Sequence, residues 1–171
     1  MAEEGTYQPR PRTAFERVAE PLVASRPGAW VWVNVMPHID RVTMKLSGGR
    51  LSVGGGPKRV GLLSVRGAKT GALRRTPLLY ARDDDRLLLV ASRGGDVKHP
   101  AWYLNLRANP DVTFAIRGDE RPYRARPLEG DERERAWRVA CDKYAGYLAY
   151  QRRAGDRQIP VVALEPREAG P

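Results

Sequence analysis

Beyond residue 58 the chain alternates short apolar runs with Gly, Pro, Asp and Asn, a rhythm that predicts strands. The runs 60–65, 76–81, 86–92, 111–116, 121–127 and 159–164 each carry β-branched or aromatic members between such breakers. Asp83-Asp84-Asp85 falls between two of them and reads as a hairpin turn. Six short strands with few helices between them predict an antiparallel sheet closed, or nearly closed, into a barrel, because closure removes edges that would pair with other chains. A helical crossover is expected over 100–108, with Pro100 at a first helical position. A longer helix is expected over 131–152, where Asp131 and Glu134 have the spacing of a capping box. The expected class is α+β, mainly β.

Residues 1–28 are rich in Pro, Arg and Glu, with a short helix expected over 13–24 ahead of Pro27-Gly28. Trp30, Trp32 and Met36 then precede Pro37, after which Ile39, Val42 and Leu46 recur at helical spacing opposite Arg41 and Lys45. Ser47-Gly48-Gly49 would stop that helix. Gly54-Gly55-Gly56-Pro57 is the clearest linker, so 1–56 reads as an N-terminal extension with an amphipathic helix and 57–171 as the barrel domain. A length of 171 residues, 42% of them hydrophobic, suits one domain with an extension better than two domains.

Cys141 is the lone cysteine, so no intramolecular disulfide forms and no oxidising compartment is demanded. The acidic opening Ala2-Glu3-Glu4-Gly5 lacks the order of a secretory signal, and no apolar run approaches the ~20 residues of a membrane span. A cytoplasmic location is expected. The formal charge of +10 fits three kinds of partner: nucleic acid, anionic lipid or a polyanionic small ligand. The arginines run from Arg10 to Arg167 with acids interspersed, and Phe114 is the only aromatic of 111–116, which argues against a nucleic-acid groove. With His38 and His99 the only histidines, no metal-ligand spacing appears, and no Gly-x-Ser-x-Gly elbow is present. Difficult chemistry would therefore fall to a bound organic cofactor.

Three stretches carry candidate chemistry. Gly67-Ala68-Lys69-Thr70-Gly71, followed by Arg74 and Arg75, lies between strands, where glycines let amides converge and Lys69, Thr70, Arg74 and Arg75 add donors for phosphate or carboxylate. A solvated basic turn has the same composition. Ser92 emerges where the apolar run Leu87-Leu88-Leu89-Val90 reaches the surface, either to meet a cofactor or to satisfy a turn. Trp102 and Tyr103 give the 100–108 helix a large packing surface, suited equally to a core anchor and to ring contact. Tyr144, Tyr147 and Tyr150 step by three residues, which drifts around an ideal helix, so the phenols are not expected to share one buried face.

Leu62 to Gly71, Arg74-Arg75-Thr76-Pro77-Leu78, Ala91-Ser92-Arg93-Gly94-Gly95, Lys98 to Leu106, Tyr144 to Gln151 and the closing Ile159 to Pro166 together resemble the deazaflavin-dependent nitroreductase family of actinobacteria. The resemblance runs from about Met36 to Pro166. It implies a split β-barrel of the FMN-binding type, with a C-terminal helix, that uses reduced coenzyme F420. By the same resemblance Lys69, Thr70, Arg74, Arg75, Thr76, Pro77, Leu78 and Leu79 embrace the phosphate and adjacent parts of the coenzyme. Val90, Ala91, Ser92 and Arg93 approach the deazaflavin, and Ala101, Trp102, Tyr103, Leu104 and Asn105 flank it. Tyr147 corresponds to a family tyrosine beside the substrate, with Tyr144 and Tyr150 lining the same pocket. The chain departs from the family at Ala68, where a basic residue is common, at Leu73, often proline, and at Leu79, a tyrosine in nitroimidazole reducers. The lost charge at Ala68 is partly offset by Arg75.

The implied activity is hydride transfer from reduced F420 to a quinone, enone or nitroaromatic, with Tyr147 and Ser92 as the catalytic hydrogen-bond donors. FMN is the alternative cofactor on the same fold, and a basic barrel for nucleic acid is a rival from another class. The segment around Trp30, Trp32, Arg41, Lys45 and Arg50 either packs over the barrel or rests peripherally on the cytoplasmic membrane face. Monomer and dimer are both compatible with the sequence.

Overall fold

Leu87-Leu88-Leu89-Val90 and Val161-Val162-Ala163-Leu164 are unbroken apolar runs, and successive strand residues point to opposite faces, so such runs need cover on both sides. The computed structural model describes residues 60–167 and supplies both covers. The helices expected over 13–24 and 29–46, the Trp30 segment and the 54–57 linker lie outside the described residues.

The elements are β1 (Val60–Arg66), β2 (Leu73–Asp83), β3 (Arg86–Val90), α1 (Ala101–Ala108), β4 (Asp111–Ile116), β5 (Asp119–Pro127), α2 (Gly130–Lys143), α3 (Gly146–Arg153) and β6 (Val161–Pro166). The strands close in the order β1-β2-β3-β6-β5-β4 with every pairing antiparallel. Leu89 stands opposite Tyr80 on one side and Val162 on the other. Inside the barrel Leu63, Leu89, Val162 and Leu164 are wholly buried around Phe114, and Trp102, Tyr103 and Leu106 of α1 join them. Outside it, Leu88, Val90, Val161 and Ala163 pack against Trp137, Ala140, Tyr147 and Tyr150 of α2 and α3.

The expected barrel is observed, with local departures. β2 starts at Leu73, so Arg74 and Arg75 are strand residues paired with Val65 and Ser64 rather than members of a loop. The helix expected over 131–152 is two helices, because Tyr144 adopts extended angles (φ −149°, ψ 100°). The capping box does not form: the cap is Glu129, which places Asp131 inside the first turn, where its charge still faces the positive helix end. Glu134 instead binds Arg133 and Gln158.

One end of the barrel is tied by ions. Asp83 is buried at the β2–β3 hairpin and pairs with Arg86 and Arg135. Glu132 of α2 bridges Arg86 (2.5 Å) and Arg126 (2.8 Å), and Arg126 also holds Glu165 of β6 (2.8 Å). Hydrogen bonds from Arg126 and Arg86 hold the Glu132 carboxyl down at about 2. A carboxyl depressed in the fold adds stability above its ordinary 4.5 and loses it as pH falls through about 2. Because Glu132 is partly exposed, Glu132→Gln is expected to cost only about 1 kcal/mol or less at pH 7. Urea unfolding should show that difference shrinking as pH drops below 4.5.

Candidate functional site

A cleft of about 390 Å³ opens on the outer wall of the barrel, between the start of β2, the end of β3, the N-terminus of α1 and α3. It is lined by Thr76, Pro77, Leu78, Leu79 and Val90 of β2 and β3, by Ser92, Arg93, Gly94, Pro100, Ala101 and Trp102, and by Tyr144, Tyr147 and Tyr150.

The Ser92 wall exists because β3 stops early. The Ala91 amide still bonds to Pro160 O (2.9 Å), after which Arg93, Gly94 and Gly95 take φ of 49°, 67° and 86° and turn the chain away. A Cβ on Gly95 would lie 2.6 Å from the Tyr150 carbonyl oxygen and 2.7 Å from Arg153 Cβ, so both conformation and space demand glycine. Arginines that the sequence reading missed secure this turn. Arg153 donates to Gly94 O (3.0 Å) with its guanidinium over the Tyr150 ring. Arg157 donates to the carbonyls of Asp96 (2.9 Å), Ser92 (3.0 Å) and Ala91 (3.4 Å). Gly94 and Pro100 were also missed as lining residues. A lone arginine in a basic chain carries no pattern that would mark it.

The three tyrosines border the cleft, as their spacing leads one to expect of at least one of them, but they also cluster, which the spacing does not predict. With α2 ended, α3 restarts in a new phase, and all three rings meet: centroids are 5.1 Å apart for Tyr144–Tyr147, 5.9 Å for Tyr144–Tyr150 and 6.2 Å for Tyr147–Tyr150. The Tyr144 ring folds over Gly146, where a Cβ would come within 2.3 Å of it. The Tyr144 and Tyr150 hydroxyls bond at 2.9 Å. Burial pushes the Tyr147 phenol well above its usual range, so it is a proton-bearing donor at neutral pH. Neither the Tyr147 nor the Ser92 hydroxyl has a hydrogen-bond partner among the described residues, and both residues belong to the cleft lining.

Beside the cleft lies the basic turn. Lys69 and Thr70 are exposed in it, and Arg74 and Arg75 are exposed on β2 immediately before Thr76. Three amides of the turn are taken up within it: Gly67 N bonds Ala72 O (2.9 Å), Gly71 N bonds Gly67 O (2.8 Å), and Ala72 N bonds Thr70 Oγ1 (3.4 Å). Lys69, Arg74 and Arg75 make no ion pair among the described residues, so the cationic side chains are what the turn offers an anion. Asn105 does not line the cleft; its Oδ1 accepts from Ala68 N (3.0 Å) and fixes α1 to the turn. Ala91 and Tyr103 face the barrel interior, and Leu104 is exposed on α1 outside the cleft lining.

Residues 36–166 match the F420H(2)-dependent quinone reductase family. An F420H(2)-dependent quinone reductase of Mycobacterium tuberculosis is 43% identical over 109 residues, 62% of this chain and 72% of that protein. A solved structure of an F420-H2 dependent reductase is 42% identical with a TM-score of 0.59, covering 63% of this chain and 94% of that one. Another, described as a domain-swapped dimer, is 35% identical with a TM-score of 0.62, covering 81% of this chain and 99% of that one.

Gly95→Ala is expected to destabilise the protein by about 1–3 kcal/mol, from the cost of a left-handed non-glycine residue plus the contact with Tyr150. Thermal unfolding measures the loss, and a parent-like midpoint would show that the Ser92 turn tolerates a different path.

Proposed function

The chain belongs to the F420H(2)-dependent quinone reductase family, and from this premise we propose that its outer cleft binds the deazaflavin ring and the acceptor together, with Ser92 and Tyr147 as donors to the acceptor oxygen. The coenzyme, when bound, supplies a hydride. The observation that carries the reading is the pair of hydroxyls, Ser92 and Tyr147, that belong to one cleft lining and have no hydrogen-bond partner among the described residues.

The residues present fit such a cofactor. Cations on the β1–β2 turn and the first residues of β2, which make no ion pair among the described residues, lead along one strand into Thr76, Pro77, Leu78 and Leu79, which matches an anionic tail continuing into a planar ring. Lys69, Thr70, Arg74 and Arg75 would hold phosphate and carboxylates by charge-assisted hydrogen bonds. Val90, Ala101 and Trp102 supply flat apolar contact and keep water from the ring.

Hydride transfer needs proximity and a dry site more than a side-chain base, and the cleft lining holds no carboxylate or histidine among the described residues. A quinone oxygen gains negative charge as it is reduced. Tyr147, protonated at neutral pH, and Ser92 donate to that oxygen and lower the barrier as preorganised donors do. Enones and nitroaromatics present an oxygen of the same kind, so they belong to the proposed acceptor class.

Tyr147→Phe keeps the ring packing and removes only the donor. Turnover of a good quinone is expected to fall roughly ten- to a thousand-fold, up to the effect of losing one oxyanion donor, with coenzyme affinity little changed. Unaltered rates across quinone, enone and nitro acceptors would remove Tyr147 from the chemistry.

A further inference from the structure

Resting on the reading that Ser92 and Tyr147 act across the cleft, we propose that Arg157 is a positioning residue for the reaction, tying the wall that carries Ser92 to the wall that carries the tyrosines. Its backbone is held at both groups: Arg157 N bonds Ala154 O (3.2 Å), and Gln151 Nε2 of α3 donates to Arg157 O (2.9 Å). Gln151 Oε1 in turn accepts from Ile159 N (2.9 Å), so the segment joining α3 to β6 cannot shift independently of α3.

From that anchored position the guanidinium spreads over one loop. Nε reaches Asp96 O at 2.9 Å, Nη2 reaches Ser92 O at 3.0 Å, and Nη1 lies 3.4 Å from both Ala91 O and His99 Nδ1. These acceptors are too far apart along the chain for the single nitrogen of a lysine, whereas a planar fork with five N–H groups serves them together. The loop needs this support, because Arg93 is a non-glycine residue at φ 49° followed by left-handed Gly94 and Gly95. The carbonyl that Arg157 grips belongs to Ser92, a residue of the cleft lining. On the other side of the tie, α3 carries Tyr147 and Tyr150. Arg157 does not itself line the cleft; its contact with the lining is the bond to Ser92 O, through which it sets where Ser92 stands relative to those phenols.

The test is a double-mutant cycle on the full chain, reading kcat with a quinone, coenzyme Kd by fluorescence and the thermal midpoint. Arg157→Lys keeps the charge but not the fork. It is expected to lower kcat about ten- to a hundred-fold, the penalty of a displacement near 1 Å, while coenzyme Kd stays within about twofold. In a Ser92→Ala background the same substitution should cost less than about threefold, since residues acting as one unit are non-additive. If Arg157→Lys fails to fold, Arg157→Ala is assayed with added guanidinium, which should restore kcat with Ser92 present and not in its absence. Effects of Arg157 and Ser92 that simply multiply, rescue that ignores Ser92, or an Arg157→Lys variant with parent kcat would overturn the proposal. Parent turnover in Ser92→Ala alone would instead overturn the donor reading beneath it, and the proposal with it.

Discussion

The barrel has no room inside. Closing only six strands gives an interior that side chains fill, and here Leu63, Leu89, Phe114, Val162 and Leu164 fill it at 0–1% exposure. A ligand must therefore sit on the outer wall, and that wall needs its own cover. β3 and β6 are apolar on both faces for this reason: alternate residues feed the barrel core, and the others feed the layer under α2 and α3. The cleft is the place where this second layer stops short, between the end of β3, the start of α1 and α3.

Charge is sorted by the same architecture. At the β2–β3 end the carboxylates of Asp83, Glu132 and Glu165 neutralise Arg86, Arg126 and Arg135 in a connected network. At the β1–β2 end Lys69, Arg74 and Arg75 have no such partners among the described residues. Part of the formal charge of +10 therefore stands as cations without an acidic partner among the described residues, next to the cleft. Under the proposed reading these cations would attract an anionic tail and do little for a neutral acceptor, so coenzyme and substrate would be recognised by different groups.

The strands were legible because β-branched runs between Gly, Pro, Asp and Asn have few alternatives, and the two-faced runs Leu87 to Val90 and Val161 to Leu164 marked the buried seam. Arg74 and Arg75 were placed in a loop because an exposed strand start has no hydrophobic signature. The three-residue tyrosine step was read against a continuous helix, whereas the extended Tyr144 resets the phase and lets the rings meet. Asn105 looked like a ligand contact, yet its bond to Ala68 depends on a tertiary approach that periodicity does not record. Arg157 was illegible for the same reason: its partners are backbone carbonyls, which every residue type presents alike.

The proposed deazaflavin site joins the outer cleft to the cations beside it, which make no ion pair among the described residues. Its most direct test is a fluorescence titration of the protein with coenzyme F420 and, separately, FMN, run on the parent, Lys69→Ala and Arg74→Ala at low and high salt. The account predicts that the parent prefers the deazaflavin and that each substitution weakens its binding by about 1.5–3 kcal/mol, the range for a charge-assisted hydrogen bond, with the difference narrowing as salt rises. Parent-like affinity in both variants, or a preference for FMN, would contradict it.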